Sequence, residues 1–248
     1  MQKNQKTTIR LTHFIDNYGN KKGIISFNGN LDIASFEEFK IHIDTAFNYF
    51  SYEELEILIS SPGGIGLFME TLIETFERFK NEGRIIEVTA NFYAMSAAAI
   101  LLTSGTIGRR NAYKNSTLLY HYPRFIFNKN TVLKEEDAKD YYEKLEMESK
   151  KILNKLTEYA LKTLEKTNDF YILKKRIDKF LIKSKEMDLI KKNYVRFDKK
   201  RTYSKEEILN EFEPVLKNAY DSLLKKEIKI SPEDALFLLM IDNIKERR

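Results

Sequence analysis

Between residues 23 and 106 the chain alternates short apolar runs with stretches whose apolar positions recur at helical spacing, a pattern that predicts βα units and at least partly parallel strand pairing. The candidate strands are residues 24–27, 55–60, 85–90 and 117–120. Between them, residues 33–50 set Ile33, Phe36, Phe39 and Ile43 near one helical face, and residues 68–79 do the same with Phe68, Leu72, Phe76 and Phe79. Gly83 follows as a left-handed cap.

After Pro123 the pattern changes. Residues 132–164 contain neither Gly nor Pro, and Tyr141, Leu145, Ile152, Leu156, Tyr159 and Leu164 recur at near-helical spacing. One continuous helix of that length measures on the order of 50 Å and must project from a small domain. Its apolar stripe then needs a partner, which predicts oligomerisation. Shorter helices are expected at 169–175 and 184–192, then a strand at 193–197. A boundary is placed at 199–202, beyond which Ser204 with Glu207, and Ser231-Pro232 with Asp234, mark two helix starts of a C-terminal helical extension spanning 199–248.

Composition narrows the classes. With 42% hydrophobic and 32% charged residues the chain reads as globular, and 248 residues suffice for one domain with an appendage. No apolar run approaches the roughly 20 residues needed to span a bilayer, and the start at Met1 is polar, so no membrane association and a cytoplasmic address are expected. Cys is absent and only His13, His42 and His121 are present, so neither a metal centre nor a disulfide is expected. The net charge of +5 is spread over helices that interleave both signs, which argues against a nucleic-acid surface; the run Lys199-Lys200-Arg201 reads as a solvated linker.

Three segments carry candidate chemistry. Ser61-Pro62-Gly63-Gly64 ends a strand, and its two glycines allow backbone N–H groups to approach a ligand before a helix begins. Ser96 opens the small-residue helix Ser96-Ala97-Ala98-Ala99, where a nucleophile has a helix N-terminus behind it and the Ala97 N–H as an oxyanion donor. His121 closes a strand just before Tyr122-Pro123, where an imidazole can take a proton from Ser96 if the strands converge. Singly, each segment also suits a plain turn, a close-packed helix or a surface histidine. His13, in an N-terminal arm, and His42, on a helix, are assigned no chemistry.

In order and spacing, Ser-Pro-Gly-Gly, then Met95-Ser96-Ala97-Ala98, Gly105-x-x-Gly108-Arg109-Arg110, Lys114-Asn115-Ser116 and His121-x-Pro123 resemble the ClpP-type (caseinolytic) serine protease family of the crotonase-like superfamily. The likeness is specific over 23–121 and looser to about 198. It implies an α/β fold, the ClpP/crotonase-like repeated ββα spiral, with a protease domain over 23–198 after an N-terminal arm (1–22), and a protruding handle helix at about 132–166. It implies Ser96 as nucleophile, His121 as general base, Gly63 and Ala97 as oxyanion donors with Gly64 in support, and no cofactor. Peptide or unfolded-protein substrates, stacked homo-oligomeric rings and a separate ATP-driven unfoldase are also implied. The chain has no GxxxxGK[ST] loop of its own.

Three departures stand beside the likeness. The family's third catalytic residue is an Asp preceding a Phe-Leu strand; alignment on Phe180-Leu181 puts Lys174 there, with Asp169 or Asp178 on either side as substitutes, or no Asp at all and a carbonyl or water fixing the His121 tautomer. After His121 the family's small, glycine-containing segment is replaced by Pro123-Arg124-Phe125-Ile126-Phe127, and the C-terminal extension has no counterpart. A catalytically weak or inactive structural subunit is therefore the alternative, followed by a crotonase-type acyl-thioester enzyme.

Overall fold

The computed structural model describes residues 7–15, 21–125, 134–190 and 203–247. The chain runs β1 (Thr8–Ile15), β2 (Lys21–Asn28), α1 (Ile33–Asp44), a π-helical turn (Thr45–Tyr49), β3 (Glu54–Ser61), α2 (Gly66–Asn81), β4 (Ile85–Met95), α3 (Ala97–Thr103), β5 (Arg110–Tyr113) and β6 (Thr117–Leu119). There follow α4 (Glu135–Glu165), α5 (Phe170–Glu186), α6 (Lys205–Lys226), β7 (Lys229–Ile230), α7 (Pro232–Phe237) and β8 (Asn243–Lys245). The result is a mixed α/β fold around one central sheet.

The main sheet path is β1-β2-β3-β4-β5-β8, with β6 on β4 and β7 on β6. Every pairing from β2 through β8 on that path is parallel, as the alternation of strands and amphipathic helices requires; β1 is antiparallel to β2. Residues 8–15, expected as part of an N-terminal arm, are thus the sheet's edge strand, and His13 lies within it. Along β3 the side chains alternate, burying Leu55, Ile57 and Ile59 against the helices. Met69, Leu72, Ile73, Phe76 and Phe79 of α2 fill the facing layer. Removing a buried ring such as Phe76 would cost about 3–5 kcal/mol.

The opposite face carries charge. Glu87, with a 6% exposed side chain, meets Lys22 at 3.0 Å, and Lys245 bridges Glu87 and Glu56. Burial alone would raise the Glu87 carboxyl, but hydrogen bonds from Lys245 and Lys22 and the Lys22 charge reverse this and lower it.

Strand β4 is longer than its apolar run suggests, because it changes partner on one edge. Val88–Ala90 pair with β5, while Tyr93–Met95 pair with β6. A bulge in the β3–β4 register between Ile59 and Ser61 lets the second half of β4 turn toward β6. This bend delivers the end of β4 to the start of α3.

Helix α4 matches the expected long helix. Its first half is exposed, including Tyr142 at 67%, and its second half buries Ile152, Leu156, Tyr159, Ala160 and Leu164. The helix expected at 169–175 runs on as α5 to Glu186, capped by the Asp169 carboxylate on the Tyr171 and Ile172 N–H groups. Of the helix expected at 184–192 only the first three residues are helical, as the end of α5, and 191–192 lie outside the described residues. The expected strand at 193–197 and the boundary at 199–202 lie outside the described residues. The predicted capping box forms at Ser204, and the predicted N-cap Ser231, followed by Pro232, forms one as well with Asp234.

The residues after 203, expected as an extension, return to the sheet. Helix α6 buries Ile208, Phe212, Leu216, Tyr220 and Leu223 in the same hydrophobic cluster as the sheet, and β8 pairs with β5. The fully buried Arg110 makes a bidentate pair with Asp242, Nε to Oδ2 at 2.8 Å and Nη2 to Oδ1 at 2.6 Å. Asp242 Oδ2 also accepts from the N–H groups of Gly108 and Arg110. Burial would raise this carboxyl; the Arg110 contacts hold it below its ordinary value. No helix among the described residues is long and apolar enough to cross a membrane.

Candidate functional site

The Ser-Pro-Gly-Gly turn is set by the loop that follows β2. Leu31 donates to the Gly63 carbonyl at 2.8 Å and accepts from the Ile65 N–H at 2.9 Å, so the turn is clamped before α2 begins. A Cβ on Gly64 would fall 2.1 Å from the Leu31 carbonyl oxygen, which excludes any side chain there. Gly63 takes φ +97°, a region glycine enters without steric cost. Its N–H donates to the fully buried Ser61 hydroxyl at 3.1 Å. That bond is local turn chemistry, and it means the expected donor already has a partner.

Ser96 sits between β4 and α3 with φ 55° and ψ −128°, a conformation costing on the order of 1–3 kcal/mol for a residue with a Cβ. Its N–H donates to the Leu119 carbonyl at 2.8 Å, and its carbonyl accepts from Ala99 at 3.0 Å. Its hydroxyl makes no capping hydrogen bond to α3. Ala97 is the first residue of that helix, and the backbone of Gly63 lies directly against it.

Met95 is opposite Leu119 in the parallel β4–β6 pair. Ser96 follows Met95 directly and His121 lies two residues past Leu119, so both leave the sheet at the same end of adjacent strands. Behind them, the fully buried Tyr120 hydroxyl and Thr103 are 2.9 Å apart, tying β6 to α3. Burial pushes the Tyr120 phenol up to about 12, so it remains a neutral hydrogen-bonding group.

Among the described residues, His121 has a backbone carbonyl as its partner. Its Nδ1 lies 2.6 Å from the Tyr122 carbonyl oxygen, and no carboxylate among the described residues bonds to it. Phe180-Leu181, taken as a strand for the alignment, lies within α5. Asp169 is spent on the cap of that helix, Asp178 faces outward, and the Lys174 ammonium sits 4.8 Å over the Phe170 ring. Helical periodicity through 170–186 is the sequence signal that could have prevented that alignment. No local signal marks Asp221, which accepts the Tyr122 phenol proton at 2.7 Å from 99 residues away.

Beyond His121, Pro123, Arg124 and Phe125 form one wall of an open groove of about 340 Å³, with Ala138, Tyr141, Tyr142 and Leu145 of α4 as the other. Ile126 and Phe127 lie outside the described residues. His42 lies near the end of α1, 3.8 Å from Glu38. Among the described residues no group of three or more His, Asp or Glu is arranged to hold a metal ion.

Fold and site together define a class: a mixed α/β protein whose parallel strands end at a glycine turn, a serine of positive φ and a histidine. The chain belongs to the Clp protease family, whose model matches residues 21–171. A 70-residue stretch, 28% of the chain, is 36% identical to ATP-dependent Clp protease proteolytic subunit 4 of Streptomyces avermitilis, covering 30% of it. Subunit 3 of Frankia casuarinae is also 36% identical over 70 residues, 28% of this chain and 32% of that protein. Subunit 1 of Thermobifida fusca is 34% identical over 82 residues, 33% of each chain. The matched stretch thus spans about a third of the length of these relatives.

Proposed function

We propose that the chain is a serine endopeptidase of the ClpP type. Ser96 Oγ attacks the peptide carbonyl while His121 takes its proton and later returns it to the leaving amine. The N–H groups of Gly63 and Ala97 receive the oxyanion, Gly64 keeps the turn in place, and Gly63 gives up or shares its bond to Ser61 as charge develops. The observation that carries this reading is the meeting of the Gly63 backbone with Ser96 and Ala97 at the strand end that also bears His121. An extended peptide or unfolded segment is the substrate, with an apolar side chain in the groove beside Phe125.

The names of the relatives support a proteolytic subunit working in an oligomer with an ATP-driven unfoldase. The repeated ββα spiral, the use of exposed α4 as a contact between rings, and a cytoplasmic location belong to the same proposal. The test is covalent labelling by a fluorophosphonate: the wild-type chain should label and Ser96→Ala should not. Equal labelling of both, or none of either, would remove the catalytic reading. That no carboxylate among the described residues bonds to His121 favours the second reading, a ring-forming subunit of little or no activity; a defined ring that stays unlabelled would support it.

A further inference from the structure

We propose that Tyr122, anchored by Asp221 of α6, is the device that orients His121 in place of a catalytic carboxylate, an inference that rests on the Ser96–His121 reading above. A backbone carbonyl can only accept. With Nδ1 2.6 Å from the Tyr122 oxygen, the imidazole proton sits on Nδ1, and Nε2 keeps the lone pair a general base needs.

The carbonyl is useful only if it cannot turn, and three features hold it. Tyr122 precedes Pro123, which restricts it to extended conformations. Its ring is half-buried against the core, and its phenol donates to Asp221 Oδ1 at 2.7 Å. Arg124, two residues on, pairs with Glu227 at the C-terminal end of α6. The second Asp221 oxygen accepts from Lys225 at 2.7 Å, one helical turn away. Helix α6 is itself fixed by its buried face and by the Tyr220 hydroxyl donating to the Leu238 carbonyl at 2.6 Å. Burial and the Asp221 charge both raise the Tyr122 phenol, so it stays a donor at any ordinary pH.

The chemistry has a cost. A neutral carbonyl fixes the tautomer, but it does not offset the imidazolium charge as an adjacent carboxylate would. Losing the anchor should therefore slow turnover by about tenfold, well short of the roughly 10⁴-fold that follows corruption of a buried Asp–His pair.

The experiment is long-range 1H–15N correlation of the imidazoles in the full-length, 15N-labelled chain at mildly alkaline pH, with His121 assigned through His121→Gln. Wild type should show protonated Nδ1 and pyridine-type Nε2. Tyr122→Phe and Asp221→Ala should each move His121 toward the Nε2–H tautomer, while Asp221→Asn, which keeps an acceptor, and Lys225→Ala should stay near wild type. Circular dichroism checks that each variant folds. An Nε2–H tautomer in wild type, or no change in folded Tyr122→Phe, overturns the proposal. Ser96-dependent labelling rates on the same samples should fall in both variants and no further in the double variant. If Ser96→Ala labels like wild type the peptidase reading fails, while the tautomer still decides the role of Tyr122.

Discussion

Gly63 lies so close to Ser96 that a Cβ on the glycine would fall 2.7 Å from the serine Cβ and 2.7 Å from the Met95 carbonyl oxygen. The neighbouring Gly64 faces the other way, toward Leu31. Two adjacent glycines therefore answer to different constraints, one to Ser96 and one to the loop that clamps the turn.

Gly63→Ala should keep the fold and lose the chemistry. The turn has to retreat from Ser96 and take its N–H along, so fluorophosphonate labelling should slow by about 10²–10³-fold, as when one oxyanion donor is removed elsewhere. Gly64→Ala meets the Leu31 backbone at 2.1 Å with nothing flexible to yield. Its urea midpoint should fall further than that of Gly63→Ala; the reverse order would show that the turn is not held by Leu31.

Arg110 and Asp242 close the fold. The guanidinium is fully buried and its Nη1 has no partner among the described residues, so Asp242 and Thr163 are what offset its charge and donors. Asp242→Ala leaves a buried cation uncompensated and should cost about 3–5 kcal/mol in equilibrium unfolding. Replacing both residues, Arg110→Met with Asp242→Leu, should recover much of that loss. A single variant within 1 kcal/mol of wild type (roughly the range of an exposed pair) would show that the C-terminal segment is not tied to the sheet by this contact.

The parallel strands were legible because β2, β3 and the first half of β4 are bounded apolar runs, and α2 and α4 because their apolar residues keep helical period. The capping box at Ser204 and the N-cap at Ser231 could be read because capping is local chemistry. Edge strand β1 was missed: in Thr8–Ile15 polar residues interrupt the apolar ones, and pairing to β2 supplies the order. Strand β8 has three residues and exists through its register with β5 and the Arg110–Asp242 pair, neither of which leaves a periodic trace. At the site, Gly63, Gly64, Ser96 and His121 stood out through motif order. The tie from His121 through Tyr122 to Asp221 spans 99 residues and needed the packing of α6 to become visible.

The charged face of the sheet sets how stability responds to acid. Glu87 is moved from the ordinary 4.5 to about 2: burial opposes ionisation, but Lys245 and Lys22 more than offset it. A carboxyl with a depressed folded value binds protons more readily in the unfolded chain. Its contribution is complete above the unfolded value and is lost as pH falls from about 4.5 through the folded one. Stability should thus drop by on the order of 2 kcal/mol through this group across that window. Asp242, also lowered, adds a loss of the same sign. Lys22 is raised by the same carboxylates, so its side of the pairing is lost with them in acid, and at higher pH it disappears only under strongly alkaline conditions. Urea unfolding at a series of acid pH values should show the decline, and Glu87→Gln should make it shallower without abolishing it, because Asp242 still titrates. A Glu87→Gln profile parallel to wild type would mean that Lys22 and Lys245 do not hold the Glu87 carboxylate ionised in the fold.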